Sequence, residues 1–321
     1  MRTFEIGNGG RIPALGLGTW KSAPGEVGAA VREAIRVGFR HVDCAPLYGN
    51  EAEIGSALAS AVAAGEAKRG DLWITSKLWN SCHKREDVIP ALRRTLADLQ
   101  LEYLDLYLIH WPVAHKPGVL YAKTGADFLG PDEAPIGETW AAMEEAVALG
   151  LCRNIGVSNF TVAKMERLSR TATIVPAANQ VESHPYFPQD ELLQYCNKHG
   201  IVFTAFAPLG SGDRPARVRN EGDPVLLDDP VVKSIAGTRG VTPAQVLLAW
   251  AVQRGTSAIP KSANPVRIAQ NFAAASLELG SDEMAAIAGI DRNYRFFKGT
   301  LWTFDGSPYS QEWLWDDSPP A

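Results

Sequence analysis

The chain has 321 residues, of which 46% are hydrophobic, and a formal net charge of −5 at pH 7. A chain of this length and hydrophobic content can form one large core, so we expect a single domain over residues 1–321. The modest acidic charge, with no basic tract, argues against nucleic-acid binding and against attachment to an anionic membrane.

The N-terminal sequence and the cysteines bear on the compartment. The first residues, MRTFEIGNGG, lack the apolar stretch of a secretory signal, and no apolar run approaches the ~20 residues of a membrane span. The four cysteines, Cys44, Cys82, Cys152 and Cys196, form no Cys-x-x-Cys pair. Reduced thiols in a cytoplasmic protein are therefore expected. The six histidines show no metal-ligand spacing, so we expect no metal site.

The chain begins with a pattern typical of a β-hairpin. Residues 3–6 and 11–15 have strand character, and GNGG at 7–10 suits the turn between them. Such a hairpin in front of a barrel would plug its N-terminal end.

From residue 15 onwards, short apolar runs alternate with stretches of helical periodicity. The predicted strands are 15–19, 41–43, 72–76, 104–109, 154–157, 177–181, 202–205 and 257–259. The predicted helices are 25–37, 51–64, 85–99, 138–149, 162–168, 190–198, 230–238, 243–254, 266–274 and 282–289. This alternation predicts an α/β protein, a (β/α)8 TIM barrel with an N-terminal hairpin plug.

Two connections, 112–137 and 208–228, are too long for ordinary loops between strands and helices. Long loops on the C-terminal face of a barrel commonly bind or cover substrate. The second contains GSGD and an arginine-rich stretch with Arg214, Arg217 and Arg219. No Gly-x-Gly-x-x-Gly follows a strand, so the sequence does not predict a Rossmann unit.

Four side chains capable of acid–base chemistry lie at or just after predicted strand ends: Asp43, Tyr48, Lys77 and His110. In a parallel barrel these ends form the catalytic face. Each residue also has a plain structural interpretation. Asp43 suits a helix start, Tyr48 a turn, Lys77 a solvated strand end and His110 a hydrogen-bonded core position. Their occurrence in successive βα units favours a shared site.

These residues, together with several ordered motifs, make the chain resemble the aldo-keto reductase family, in its aldehyde and aldose reductase-like branch. The motifs are GLGTW at 16–20, LIHWP at 108–112, GVSNF at 156–160, NQVESHP at 179–185 and IPKS at 259–262. The family's catalytic Asp, Tyr, Lys and His fall at Asp43, Tyr48, Lys77 and His110. The resemblance implies that a carbonyl group accepts a hydride from a nicotinamide and a proton from Tyr48.

The residue types suit this chemistry. A phenol is a weak acid with a free pKa near ~10, and a neighbouring ammonium makes it a better proton donor. Lys77 can do this for Tyr48, and Asp43 can keep Lys77 charged. His110 can orient the substrate oxygen. Family members that reduce steroid double bonds carry glutamate at this position, so His110 favours C=O reduction.

The resemblance also implies NADPH as the cofactor. The family's cofactor positions are occupied by Gly18, Thr19, Trp20, Asp43, Ser158, Asn159, Gln180, Phe206, Leu209, Ser211, Asp213, Lys261, Ser262, Arg267, Gln270 and Asn271. Ser158, Asn159 and Gln180 would hold the nicotinamide amide. Phe206 stands where many members have a tyrosine that stacks on the nicotinamide, and Ala207 replaces a frequent serine.

Lys261, Ser262 and Arg267 match the family's pocket for the 2′-phosphate, and two cations near a helix start suit a phosphate on physical grounds. Gln270 and Asn271 match the adenine contacts. The alternative for Lys261 and Arg267 is a solvated helix face.

The alternative for Ser158 and Asn159 is a helix cap.

The substrate pocket and the tail are predicted to be aromatic. By resemblance, the pocket wall comprises Trp20, Leu47, Trp79, Trp111 and Trp302, although the tryptophans are equally interpreted as core residues. Aromatic residues are dense between 292 and 317, unlike a disordered tail. We therefore expect Trp302 beside Trp20 and Trp111.

Two further tryptophans of the tail, Trp313 and Trp315, are predicted to anchor it to the barrel exterior.

The sequence thus predicts a monomeric, cytoplasmic, NADPH-dependent reductase that converts small aldehydes and ketones to alcohols. One alternative is an NADPH-binding barrel with slow turnover that acts as a redox sensor or structural protein. Another is a metal-dependent hydrolase or lyase that uses Asp43 and His110, for which the sequence offers no ligand cluster. Aldoses, aromatic aldehydes, methylglyoxal and keto-esters all remain open as substrates.

Overall fold

The computed structural model describes residues 2–7, 9–219 and 221–316, without the side chain of Arg217. Asn8 of the predicted turn, Arg217 of the arginine-rich stretch as a side chain, and Asp317 of the aromatic tail therefore lie outside the described residues.

Eight parallel strands form one closed sheet, and two short antiparallel pairs lie outside it. In chain order the strands are β1 Thr3–Glu5, β2 Arg11–Pro13, β3 Leu17–Gly18, β4 His41–Asp43, β5 Trp73–Leu78, β6 Leu106–Ile109, β7 Ala114–His115, β8 Phe128–Leu129, β9 Ile155–Ser158, β10 Ala178–Glu182, β11 Val202–Phe206 and β12 Ser257–Ala258. The sheet order is β12-β11-β10-β9-β6-β5-β4-β3, and the predicted barrel is confirmed.

The barrel closes where the first strand meets the last. Leu15 bridges Ala258 and Gly18 bridges Lys261, both in parallel. The amide of Gly16 donates to Ala258 O at 2.9 Å across this seam. A Cβ on Gly18 would lie 2.8 Å from the carbonyl oxygen of Ile259. Gly18 therefore allows the first and last strands to approach closely, whereas a Cβ on Gly16 would lie 2.6 Å from the ring of His41.

Helices surround the barrel and account for the alternating pattern in the sequence. They are α1 Val27–Val37, α2 Glu51–Ala63, α3 Arg85–Leu99, α4 Ile136–Ala148, α5 Val162–Ser169, α6 Asp190–Lys198, α7 Pro230–Arg239, α8 Pro243–Gln253, α9 Pro265–Ala273, α10 Ser281–Ala288 and α11 Gln311–Trp315. Several starts carry capping signals: Thr242 forms a capping box with Gln245, and Asp229 accepts from Val231 N. Within the described part of the chain, no helix is long and apolar enough to cross a membrane.

The N-terminal hairpin of β1 and β2 plugs one end of the barrel, as predicted. Its residues Ile6 and Ile12 are buried in a cluster with Leu106, Leu108 and Val202 of the barrel strands. The opposite end, where the strands have their carboxyl ends, is left for the long loops.

The connection at 112–137 and the tail (residues 292–316) are more structured than the sequence predicted. The connection contains the pair β7–β8, and the tail ends in α11. Tyr309 joins them, because its hydroxyl donates to Leu129 O at 2.7 Å and accepts from Ala114 N at 3.0 Å. This contact places the tail over the C-terminal face.

Candidate active site

Asp43, Lys77 and Tyr48 form one hydrogen-bonded cluster at the carboxyl end of the barrel. Asp43 ends β4, Lys77 lies in β5, and Tyr48 ends the 3-10 turn Pro46–Tyr48. The ammonium of Lys77 donates to Asp43 Oδ1 at 2.5 Å, to Cys44 O at 2.9 Å and to the hydroxyl of Tyr48 at 3.3 Å. All three of its protons therefore have acceptors, although Lys77 is completely buried.

Burial alone would lower the pKa of Lys77. The charge of Asp43 and the contact with Tyr48 outweigh burial, so the pKa of Lys77 lies above its ordinary value. Lys77 is therefore a charged ammonium at neutral pH, because the carboxylate of Asp43 stabilises its charge.

Two opposing effects set the pKa of the Tyr48 phenol. Burial raises its pKa to about 12, and the opposing effect of the Lys77 charge does not bring it below the ordinary value. Lys77 favours the phenolate, as expected, but desolvation is the larger effect. At neutral pH the phenol consequently retains its proton.

His110 follows β6 and completes the group of four. Its ring lies 5.9 Å from that of Tyr48 and 5.1 Å from that of Trp79, both in edge geometry. Burial, followed by the charge of Lys77, holds the pKa of His110 well below its ordinary value. A neutral imidazole can orient a polar substrate group by hydrogen bonding, but it is not the acid that a protonated imidazole would be.

A cavity of about 1260 Å³ opens above this cluster. It is lined by every residue predicted to bind cofactor or substrate, and by Asp43, Tyr48 and His110. Lys77 lies behind Asp43 and Tyr48 and does not line the cavity. Lys261 and Arg267 line one region of the cavity, and Trp111 and Trp302 line another. After the ligands that the sequence predicts for them, we call these regions the cofactor arm and the substrate arm.

Polar side chains line the cavity next to Asp43 and His110. Ser158 Oγ donates to Gln180 O at 2.6 Å, and Gln180 Nε2 donates to Asp43 Oδ2 at 2.7 Å. Asn159 Nδ2 donates to His110 O at 2.9 Å, whereas its buried Oδ1 has no hydrogen-bond partner among the described residues. This oxygen is available to accept a hydrogen bond from a ligand amide.

The helix-cap interpretation of Ser158 and Asn159 is wrong. α5 is capped by Thr161, whose side chain accepts from Lys164 N at 3.2 Å.

The far end of the cofactor arm carries positive charge at the start of α9. Lys261 is partly exposed and Arg267 is exposed, and neither has an ion pair with a described residue. Asn264 caps this helix by accepting from Arg267 N at 3.1 Å. Ser262, Gln270 and Asn271 line the same region of the cavity. The arrangement suits an anionic group, because two cations without an ion pair to a described residue lie at the start of a helix.

The loop of residues 207–219 and 221–228, which we call the cover loop, borders the cofactor arm and is tied to the segment after β3. Lys21 pairs with Asp213 at 2.8 Å, and Leu209 and Ser211 line the cavity beneath. Phe206 stands at the base of this loop with its ring 5.4 Å from that of Phe297. The sequence did not single out Lys21, and only its position directly after Trp20 could have indicated it.

The substrate arm is lined by aromatic rings. Trp302 lies 5.3 Å from Trp111 and 6.0 Å from Trp79, and Trp20 lies 6.5 Å from Tyr48. Trp79 and Trp302 are 4% and 6% exposed, so these two are core residues and cavity-lining residues at once. Leu47 packs beside them.

The same arm has lining residues that sequence reasoning did not assign to it. They are Tyr121, Ala122, Lys123, Phe297, Leu301 and Phe304. Phe297 and Phe304 belong to the aromatic tail, and that density of aromatic residues was the available signal. No motif marked the first three.

Trp313 and Trp315 anchor the tail differently. Trp313 lies under the ammonium of Lys164 on α5, 4.5 Å from it, as expected for contact with the barrel exterior. Trp315 instead packs 6.0 Å from Trp111, directly behind the substrate arm. Asp316 fastens the end of the tail by accepting from Lys164 Nζ at 2.7 Å.

No group of three or more His, Cys, Asp or Glu side chains that could hold a metal ion is found over residues 2–7, 9–219 and 221–316.

Comparison with known proteins gives one consistent result. The model of the "Aldo/keto reductase family" matches residues 14–292. An aldo/keto reductase of Synechocystis is 54% identical over 317 residues, which cover 99% of this chain and 97% of that protein. Human aldo-keto reductase family 1 member A1 is 48% identical over 300 residues, 93% of this chain and 91% of that protein. The structure of an aldose reductase from Schistosoma japonicum superposes with a TM-score of 0.86 at 42% identity, covering 94% and 96% of the two chains.

Proposed function

Since the chain belongs to the aldo/keto reductase family, we propose that it is an NADPH-dependent reductase that converts aldehydes and ketones to alcohols. The observation that carries this proposal is the contact of the Lys77 ammonium with both Asp43 and Tyr48 at the base of the cavity. It provides a protonated phenol next to a fixed positive charge, which suits the transfer of a proton to the oxygen of a carbonyl group.

The cofactor arm fits NADPH. The unpartnered Oδ1 of Asn159, together with Ser158 and Gln180, suits the carboxamide of a nicotinamide. Lys261 and Arg267 suit a 2′-phosphate, which favours NADPH over NADH. When bound, NADPH supplies the hydride that the carbonyl carbon accepts.

Phe206 would stack on the nicotinamide ring, and Gln270 and Asn271 would contact the adenine. Gly18, Thr19 and Trp20 border the same arm beside Asp43.

The chain's own residues would move the proton. Tyr48 donates its phenolic proton to the carbonyl oxygen, and Lys77 stabilises the phenolate that remains. Asp43 keeps Lys77 charged in a site where burial alone would favour the neutral amine. His110, as a neutral imidazole, orients the carbonyl oxygen towards Tyr48.

The substrate arm suits an apolar or aromatic carbonyl compound. Trp20, Trp79, Trp111 and Trp302 provide large flat surfaces, with Leu47 between them. We propose that these residues select substrates by contact.

We further propose a monomeric, single-domain, cytoplasmic enzyme. One closed barrel accounts for most of the chain, and Cys44, Cys82, Cys152 and Cys196 are all free thiols. Free thiols suit a reducing compartment.

The test is steady-state turnover of the purified protein. A panel of aldoses, aromatic aldehydes, methylglyoxal and keto-esters is supplied with NADPH, and the loss of its absorbance is followed. We expect turnover with at least the aromatic aldehydes and a lower KM for NADPH than for NADH. Tight NADPH binding without turnover on any of these carbonyl compounds would favour the slow redox-sensor or structural alternative instead.

A further inference from the structure

We propose that Tyr294 and Asp223 couple the cover loop to the tail, so that retention of the cofactor and the position of the substrate wall depend on each other. The inference rests on the proposed function and assigns a positioning role to Tyr294. It follows from one carboxylate that is bound from both segments at once.

On the side of the cover loop, Arg214 organises the backbone. It is 3% exposed, and its guanidinium donates to Val218 O at 3.1 Å and to Ser211 O at 3.2 Å. The same guanidinium forms an ion pair with Asp223 Oδ2. A buried arginine without this carboxylate would be an uncompensated charge, so Asp223 holds the closed form of the loop together.

On the side of the tail, the hydroxyl of Tyr294 donates to the other oxygen of the same carboxylate, Asp223 Oδ1. Burial and this hydrogen bond raise the pKa of Tyr294 to about 12, so the hydroxyl remains a donor at neutral pH. Arg214 also lies 4.5 Å above the ring of Phe296, two residues further along the tail. The cover loop thus contacts the tail through both a charge-assisted hydrogen bond and a cation–π contact.

The next residues of the tail are fixed to the barrel. Glu182, at the end of β10, accepts from Phe296 N at 2.7 Å and from Phe297 N at 2.9 Å. His184 Nε2 lies 2.9 Å from the same carboxylate. This attachment holds Phe296 and Phe297 at the end of β10, so their rings keep a fixed position towards Arg214 and Phe206 while the cover loop is closed.

Phe297 connects the tail to both arms of the cavity. Its ring lies 5.4 Å from Phe206, at the base of the cover loop, and 5.9 Å from Trp20. Residues Leu301 and Trp302, which line the substrate arm, follow directly. Opening of the cover loop would therefore remove the contacts of Asp223 with Tyr294 and of Arg214 with Phe296, which hold the tail directly before the substrate wall.

Coupling of this kind is reciprocal. If a ligand in the substrate arm stabilises the tail, it must raise the affinity for a cofactor held under the cover loop by the same factor. We expect this gain in affinity as slower release of the cofactor. Because Tyr294 is only partly buried, we expect a coupling of about fivefold, near the lower end of measured values. Removal of the hydroxyl should abolish most of this factor while leaving the aromatic ring in place.

The experiment measures NADPH release from the full-length protein by stopped-flow fluorescence, with and without saturating 2-naphthalenemethanol. We expect this alcohol to bind in the substrate arm through its aromatic rings, and NADPH cannot reduce it. In the wild type we expect the alcohol to slow release about fivefold. In Tyr294→Phe, release should be faster without the alcohol, and the alcohol should change it less than twofold. Tyr195→Phe is the matched control, since it removes a hydroxyl from α6, where the ring stacks 4.2 Å from His199.

Three results would overturn the inference alone. They are no effect of the alcohol on release from the wild type, wild-type coupling in Tyr294→Phe, and an equal loss of coupling in Tyr195→Phe. Failure of the wild type to bind NADPH would instead overturn the proposed function, and the inference with it.

Discussion

The base of the cavity and the wall of its substrate arm are held in place by different parts of the fold. At the base, Lys77 and Asp43 come from neighbouring barrel strands, are 34 positions apart, and are almost completely buried. At the wall, Trp302 belongs to a tail outside the barrel, and Tyr309 fixes that tail to Ala114, 195 positions away. Under the proposed function, Asp43 and Lys77 therefore lie on the closed sheet, whereas Trp302 lies on a segment that can change without disturbing the sheet.

The largest effect is expected from a substitution that changes only the base of the cavity. Tyr48→Phe removes the acid and keeps the ring, so kcat for an aromatic aldehyde should fall by ~10²–10⁴-fold. The Kd for NADPH, measured by fluorescence titration, should change little because Lys77 keeps its contacts with Asp43 and Cys44. Retention of most of the wild-type kcat would exclude Tyr48 as the proton donor.

A second change at the base should alter the pH dependence. In Asp43→Asn the buried ammonium of Lys77 loses its counter-charge, which should cost roughly 3–5 kcal/mol of stability. Burial, no longer offset by Asp43, should then bring the pKa of Lys77 below its ordinary value.

As pH rises through this lowered pKa, Lys77 loses its proton and kcat of the variant should decline, whereas Lys77 of the wild type remains charged. The measurement is kcat between pH 6 and 10 together with thermal unfolding, with the exposed Asp282→Asn as control. Parallel pH profiles for wild type and Asp43→Asn would contradict the role of Asp43.

The third prediction concerns the cofactor arm. Arg267→Ala removes one charge-assisted contact with a 2′-phosphate and should cost roughly 1.5–3 kcal/mol of NADPH binding. NADH lacks this phosphate, so its Kd should hardly change. The exposed Arg170→Ala is a matched loss of charge at the end of α5. Equal losses of affinity for both cofactors would show that Arg267 does not read the 2′-phosphate.

A smaller effect is expected at Phe206. Phe206→Ala removes a stacking surface and should raise the Kd for the cofactor about 3- to 10-fold. Phe206→Tyr keeps the ring and should bind at least as tightly. An unchanged Kd in Phe206→Ala would show that the ring does not stack on the nicotinamide.

The sequence indicated the base better than the wall for physical reasons. Asp43, Lys77 and His110 each follow from a strand pattern and its carboxyl end, which meet on one face in any parallel barrel. The pKa of Tyr48 could not be anticipated, because it depends on a balance between burial and Lys77 that only the three-dimensional structure sets.

The structure of the wall depends on contacts between distant segments. The strands β7 and β8 are two residues each, too short for a periodic signal, and α11 has five residues. Trp315 was expected on the barrel exterior but packs against Trp111, since the path of the tail is fixed by Tyr309 and Asp316 rather than by local sequence.

The most direct test of this division compares kcat/KM for a small aldehyde, propanal, and a bulky one, 2-naphthaldehyde, in Tyr48→Phe and Trp302→Ala. Tyr48→Phe should lower both values by the same factor and leave their ratio unchanged. Trp302→Ala should lower the value for 2-naphthaldehyde about 10-fold, through lost aromatic contact, and that for propanal less than twofold. A changed ratio in Tyr48→Phe, or an unchanged ratio in Trp302→Ala with normal NADPH binding, would contradict the separation of chemistry from selection.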